Sequence, residues 1–408
     1  MILFITRKHP PSVGGMQKLS YQLIQAISQR TKTQVVAWGG SQVFLPVFLP
    51  YALLRASLVL ATRRDVALIH LGDSVLAPLG MVLKGLFRLP VVVTVHGLDV
   101  TFPHPLYQWL IPRCLHRLDR LICVSAVARE ACQQRGIPPE HCTIIPNGID
   151  AAAFDTRLPE EARRLLETRL GYPLGDRARL LTVGRLVERK GVAWFVASVL
   201  PRLVAARSDI LYLVVGEGPQ RATIETAVQE TGLEEHVALL GQVDEATLHA
   251  AYTVAHVFVM PNLPVPGDME GFGLVALEAC AAGCCVVAAD LEGIPAAIVP
   301  GENGFLVPPG DVDAYVNTIL PLLSAEQRRR ALGRQAQHFV REHYSWEHVA
   351  EQYLAVFQEV CASPSPVEDG GGPGWGFSPA GRGGDGLSHP TDSNPEGATT
   401  RQVGGQRQ

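Results

Sequence analysis

Short apolar runs rich in β-branched residues alternate along this chain with longer stretches whose apolar positions recur at helical spacing. In the first half the runs are Ile2–Thr6, Gln34–Ala37, Val66–His70, Val91–Val95, Arg120–Val124 and Cys142–Ile145, with helical stretches such as Gln17–Ser28 and Ala126–Arg135 between them. Continuously apolar strands separated by helices predict a parallel sheet covered on both faces. The pattern then restarts with Leu180–Val183, Leu211–Val215, Val237–Leu240, Val257–Met260 and Cys285–Ala288 as strands, and Trp194–Ala206, Arg221–Glu230 and Leu274–Ala282 as helices. Between the halves, Asp150 to Asp176 holds a charged helical piece, Glu160–Arg169, that reads as a hinge region. The expected fold is therefore α/β, with two doubly wound Rossmann-like domains whose strands end on a shared cleft. Residues 1–155 would form the first domain and 156–345 the second. An amphipathic helix follows at Trp346–Val360, and from Ala362 onward Gly, Pro, Ser and polar residues dominate, a composition read as a disordered tail.

Composition supports a large buried core: 408 residues are 47% hydrophobic and only 18% charged. The eight cysteines show no CxxC spacing and so read as small buried hydrophobes, with no zinc motif. Met1 leads straight into strand-like sequence with no signal-peptide pattern, which makes the cytoplasm the expected compartment. The most apolar stretch, Val43 to Ala61, is interrupted by Pro46, Pro50 and Arg55 and does not read as a membrane span. It fits a buried helix of the first sheet, or else an apolar patch that, with Arg63 and Arg64 behind it, touches the inner face of a membrane peripherally. Charge divides along the chain: residues 1–150 carry 15 Lys and Arg against 7 Asp and Glu, whereas the remainder carries 20 against 32. A basic first half suits an anionic acceptor or membrane surface.

Four constellations carry candidate chemistry. Gly14-Gly15 precedes a helix whose first amides are free for a phosphate; without a GxGxxG pattern it does not indicate a dehydrogenase. His96 ends an apolar strand and is followed by Gly97 and Asp99, so it points into a crevice. Arg185 and Lys190 sit on a strand-to-helix loop, where two cations can meet the negative charge that grows on a departing nucleoside diphosphate. Glu270 and Glu278 bracket the turn Phe272-Gly273 and the helix opening at Leu274, whose free amides can hold sugar hydroxyls or phosphate.

Together these segments resemble the retaining glycosyltransferases of family 4, built on the GT-B fold. The resemblance covers about residues 1–361. It rests on GGM at 14–16, VHG at 95–97, IPNGID at 145–150, GRLVERKG at 184–191, VVGEGP at 214–219, and the two glutamates bracketing GFGLVAL. It implies that the helix at 346–360 crosses back onto the first domain and that the second domain binds a nucleotide sugar. Glu278 would hold the ribose, and Arg185 with Lys190 the diphosphate. Glu270 with the amides of Phe272, Gly273 and Leu274 would hold the donor sugar. The Gly14-Gly15 loop would close over the phosphates, His96 would touch the sugar, and Gly216 and Gly218 would let the base approach. No metal or other cofactor is expected, and no nucleic acid.

The expected function is retaining transfer of a hexose, of mannose or glucose type, from a UDP- or GDP-sugar to an acceptor that is a sugar, a polysaccharide or a lipid-linked molecule. A nucleotide-sugar epimerase, a phosphorylase or another GT-B enzyme, and a non-catalytic nucleotide-sugar-binding protein are the competing readings.

Overall fold

Every strand expected from the apolar runs forms, in two six-stranded sheets that pair in parallel throughout. The computed structural model describes residues 1–362 apart from Val13, Ser41 and 155–157. The expected boundary near residue 155 and the tail beyond Ala362 lie outside the described residues. In the first half, β1 (Ile2–Thr6), β2 (Thr33–Ala37), β3 (Leu68–Leu71), β4 (Val91–Val95), β5 (Arg120–Cys123) and β6 (Cys142–Ile144) take the order β2-β1-β3-β4-β5-β6. They are joined by α1 (Gly15–Ser28), α2 (Leu45–Thr62), α3 (Ala77–Phe87), α4 (Leu98–Thr101), α5 (Pro105–Leu115) and α6 (Ala126–Gln133).

After α7 (Pro159–Leu170), the second sheet holds β7 (Ala178–Val183), β8 (Ile210–Val215), β9 (Val237–Gly241), β10 (Val257–Met260), β11 (Cys285–Ala289) and β12 (Phe305–Val307). Its helices are α8 (Val192–Trp194), α9 (Leu200–Ala206), α10 (Arg221–Thr231), α11 (Glu245–Val254), α12 (Leu274–Ala281), α13 (Val312–Ser324) and α14 (Glu326–His343). The order β12-β11-β10-β7-β8-β9 is the Rossmann order, read from the far edge. Strand β12 was not anticipated, because three residues are too few to show a periodicity.

Helix α15 (Trp346–Ala362) crosses back and packs on α1. Its Trp346, Val349, Tyr353, Val356, Phe357 and Val360 share one buried cluster with Ile2 and Phe4 of β1 and with Leu19, Leu23 and Ile27 of α1. The two chain segments that join the halves run side by side, with the Ile149 amide donating to the Tyr344 carbonyl at 2.7 Å. Gly148 is required there, since a Cβ would come within 2.7 Å of the Trp346 ring.

Helix α2 departs from its expectation. The prolines do not break it. Pro46 lies in the first turn, where no amide is needed, and Pro50 forfeits only one helical bond. Phe48, Ala52, Ala56 and Leu60 recur every fourth residue and are buried against the sheet. The opposite face is also apolar, and Val47, Tyr51, Leu54 and Leu58 stand exposed on it. It is thus a core helix on one side only.

Beneath α15, His70 is buried among Phe4, Tyr353 and Phe357. Its Nε2 bonds Thr94 Oγ1 at 2.9 Å. Burial, with a smaller repulsion from His96, pushes its pKa down to about 3. The unfolded chain takes up a proton near 6.5 while the folded chain refuses it. This contribution to stability is complete above 6.5 and declines as pH falls below that value toward 3. At about pH 5.5 the loss from this one group is roughly 1.4 kcal/mol. Urea unfolding of the wild type and His70→Gln at about pH 7.5 and 5.5 is expected to show an acid-induced loss smaller by about that amount in the variant; equal losses in both would refute this account.

Candidate active site

In the second sheet the chain order reverses between β7 and β10, and the loops leaving those two strands open a crevice at their carboxyl ends. Lys190 comes from the first loop and Glu270 from the second. Their side chains meet with Nζ 2.5 Å from Oε2, and both residues are buried. Asn262 Nδ2 donates to the same oxygen at 3.2 Å, and Arg189 Nε lies 3.5 Å from it. Arg189 also pairs with Asp268 at 2.7 Å. The Glu270 amide donates to the Glu292 carboxylate, whose pKa is raised first by burial. Arg185 from the same loop is exposed and has no ion-pair partner among the described residues, so its charge is available to a ligand.

Helix α12 begins behind Glu270. Gly273 occupies its N-cap with no side-chain cap, and Phe272 is buried beside it. That leaves the first amides of the helix for a ligand. Glu278 lies one turn on and accepts a 2.8 Å hydrogen bond from the Tyr252 hydroxyl. Burial raises its pKa, and the tyrosine bond opposes the shift.

Gly216 and Gly218 serve the protein as well as any ligand. Their loop runs against the loop after β7: a Cβ on Gly216, where φ is 136°, would lie 1.9 Å from the Gly184 carbonyl oxygen, and one on Gly218 2.3 Å from that of Leu186. Only glycine allows this approach of two backbones.

His96 directly follows β4 and faces the crevice from the first half. Its amide donates to Asp99 Oδ1 at 2.9 Å, and its Nε2 lies 3.2 Å from the Gly72 carbonyl. Asp99 is held by the Ser74 amide and hydroxyl at 2.9 and 2.6 Å. Gly271 packs so tightly on His96 that a Cβ there would lie 2.3 Å from the His96 carbonyl oxygen. The cleft is therefore narrow here, with His96 beside the loop that carries Glu270. Gly14 caps α1 at the cleft edge, and the space beside Gly15 is open. Just behind these glycines Lys18 reaches across to Glu245 of α11 at 3.0 Å.

The structure thus joins Lys190, Glu270 and the start of α12 into one cluster, with His96 against it and Arg185 free. Sequence reasoning missed Arg189, Asn262, Asp268, Glu292 and Tyr252. Asn262 alone carried a usable signal, as the second residue after an apolar strand. The others act through pairings far apart in the chain.

The family described as Glycosyltransferase Family 4 matches residues 13–153, and Glycosyl transferases group 1 matches 172–339. A phosphatidyl-myo-inositol mannosyltransferase from Mycolicibacterium smegmatis is 31% identical over 88% of this chain and 93% of its own length. The chain is a family 4, group 1 glycosyltransferase. A second relative of this glycosyltransferase from the same organism, a GDP-mannose-dependent alpha-(1-6)-phosphatidylinositol monomannoside mannosyltransferase, is 27% identical over 85% of the chain and 95% of the relative. Its fold is shared by HepE from Anabaena, solved with UDP (TM-score 0.71, 20% identity, 88% of this chain and 99% of that one). Sucrose-phosphate synthase from Thermosynechococcus elongatus shares it too (TM-score 0.68, 25% identity, 88% and 98%). The epimerase, phosphorylase and non-catalytic readings give way to a glycosyltransferase using a nucleotide-sugar donor.

Lys190→Ala in this glycosyltransferase is expected to lower kcat by about 10²–10³. Asn262 and Arg189 remain to hold Glu270, so the melting temperature should stay within a few degrees; a variant with near-normal turnover would remove Lys190 from the site.

Proposed function

We propose that this glycosyltransferase moves a hexose with retention from a nucleoside-diphosphate sugar, GDP-mannose by preference, to a lipid-linked acceptor at an anionic membrane surface. The observation that carries the transfer chemistry is the Lys190–Glu270 pair at the strand switch point, with the uncompensated Arg185 on the same loop. A diphosphate entering the crevice draws Arg185 and Lys190 to its oxygens. Lys190 then loosens its hold on Glu270, which turns to a hydroxyl of the donor sugar. The amides at Phe272, Gly273 and Leu274 and the Gly14-Gly15 loop add neutral donors around the phosphates. Glu278 accepts from the ribose diol. The cations stabilise the charge that develops as the bond from sugar to phosphate breaks.

Retention follows if the acceptor attacks from the face the diphosphate leaves, with the departing phosphate taking the acceptor's proton. The protein then supplies alignment and charge more than a general base. His96 touches the sugar from the first half. A small pocket beside it, lined by Lys8, Met16, Ser20, Asn147 and Trp346 among others, marks the side from which the acceptor head would approach. No metal is assigned to this step.

The mannosyltransferase relatives support GDP-mannose and an inositol-lipid type of acceptor. The surface supports the membrane. Phe44, Val47, Tyr51, Leu54 and Leu58 on and before α2 are exposed, as are Val82 and Leu86 on α3 and Leu106 and Trp109 on α5, and these helices pack consecutively. Arg55, Arg63, Arg64, Arg88, Arg113 and Arg117 are exposed on the same helices and at their ends. From residue 42 to 118 the acids are Asp65, Asp73 and Asp99, of which only Asp65 is exposed. An apolar face fringed by arginine and almost free of carboxylates matches the boundary between acyl chains and anionic headgroups.

Three measurements test the proposal. Thermal shift with GDP-mannose and UDP-glucose is expected to give the larger rise with GDP-mannose, and calorimetry should show that Glu278→Ala weakens nucleotide binding; equal affinity in that variant would discard the ribose role. Flotation with vesicles containing anionic lipid is expected to carry the wild type, and Leu54→Glu with Leu58→Glu to abolish it. Wild-type protein that stays at the bottom of the gradient would reject the membrane surface.

A further inference from the structure

The cysteines that sequence spacing left as separate buried hydrophobes are brought together in one place. Side chains alternate along a strand, so Leu121 and Cys123 of β5 share a face. Parallel register places Cys142 of the edge strand β6 beside Leu121, and therefore on that same face. Helix α6 covers this face and contributes Cys132. The three sulfurs lie within 4.8 Å of one another, and all three residues are buried. Next to Cys142, His141 has its Nδ1 buried without a hydrogen-bond partner.

We propose that Cys123, Cys132 and Cys142 form a binding site for a soft, thiophilic metal ion of the Cu(I) class. Three thiolates at about 2.3 Å from a central ion stand about 4.0 Å apart in a trigonal plane, a contraction of less than an ångström from the present spacing. Soft sulfur ligands select soft ions, and a three-sulfur set with no carboxylate excludes the hard ones. Binding releases the three thiol protons to solvent, and the ion neutralises one of the three negative charges left on the sulfurs. The site is reached from the sheet edge, where Cys142 keeps the little exposure the cluster has. It is separate from the transfer chemistry, although α6 packs on α4, the turn that follows His96.

The test uses the full chain with Cys361→Ser as background, because Cys361 is the exposed thiol among the eight. Cu(I) is added anaerobically in competition with bathocuproine disulfonate. One Cu(I) per chain is expected to be retained, with an X-ray absorption spectrum fitted by sulfur alone. Cys132→Ala is expected to weaken binding by more than the roughly 10–100-fold that loss of an outer-shell partner costs, while Cys284→Ala leaves it unchanged. If Cys132→Ala fails to fold, Cys142→Val at the sheet edge replaces it, and the absorption spectrum of the parent stands without either. A parent chain that yields all its Cu(I) to the chelator overturns the site, as does a Cys132→Ala chain that binds equally well.

Discussion

A lysine and a glutamate, eighty positions apart in the chain, are forced together where two strands part. Neither charge could be withdrawn from water alone, since an unpaired ion in a protein interior costs several kcal/mol. The 2.5 Å contact between Lys190 and Glu270, braced by Asn262, makes their burial tolerable and fixes the two loops that leave β7 and β10. The same contact leaves the crevice poised. In the proposed donor complex a phosphate would compete with the carboxylate for the same ammonium, so that ligand binding would exchange one partner for another. Arg185 stands outside this pairing and is exposed.

The two halves are held by contacts of very different strength. Helix α15 is buried across its whole inner face and fuses the carboxyl terminus of the described chain to the first sheet. Across the cleft, Gly271 packs against His96, and at its edge stands an exposed Lys18–Glu245 pair of the kind that contributes at most about 1 kcal/mol. A firm crossing beside the cleft suits an enzyme that must admit a donor, shield the reaction from water and release a nucleoside diphosphate.

Charge is distributed to match this division of labour. The first half concentrates arginine around the exposed apolar faces of α2, α3 and α5, whereas its carboxylates Asp73 and Asp99 are turned inward to order the loops near His96. Burial raises the pKa of Asp73, with Arg7 at 2.8 Å acting against the shift. Acids placed inside leave the outer face positive.

Strand and helix periodicity and the repeat of the α/β pattern followed from the sequence, because each is written in local spacing, whereas the return of the last helix followed from the family resemblance. Polar residues just beyond apolar strands and on the strand-to-helix loop singled out His96, Arg185 and Lys190 as candidates. What only the tertiary structure decided are relations between distant segments. They include the pairing of Lys190 with Glu270, the bracing by Arg189 and Asn262, the use of Gly216 and Gly218 to seat one loop on another, and the meeting of three cysteines under α6. The two-sided character of α2 belongs here too, since an apolar run states that a face is hydrophobic but not whether anything covers it. Strand order and register set these distances, and neither is encoded within a window short enough to read along the chain.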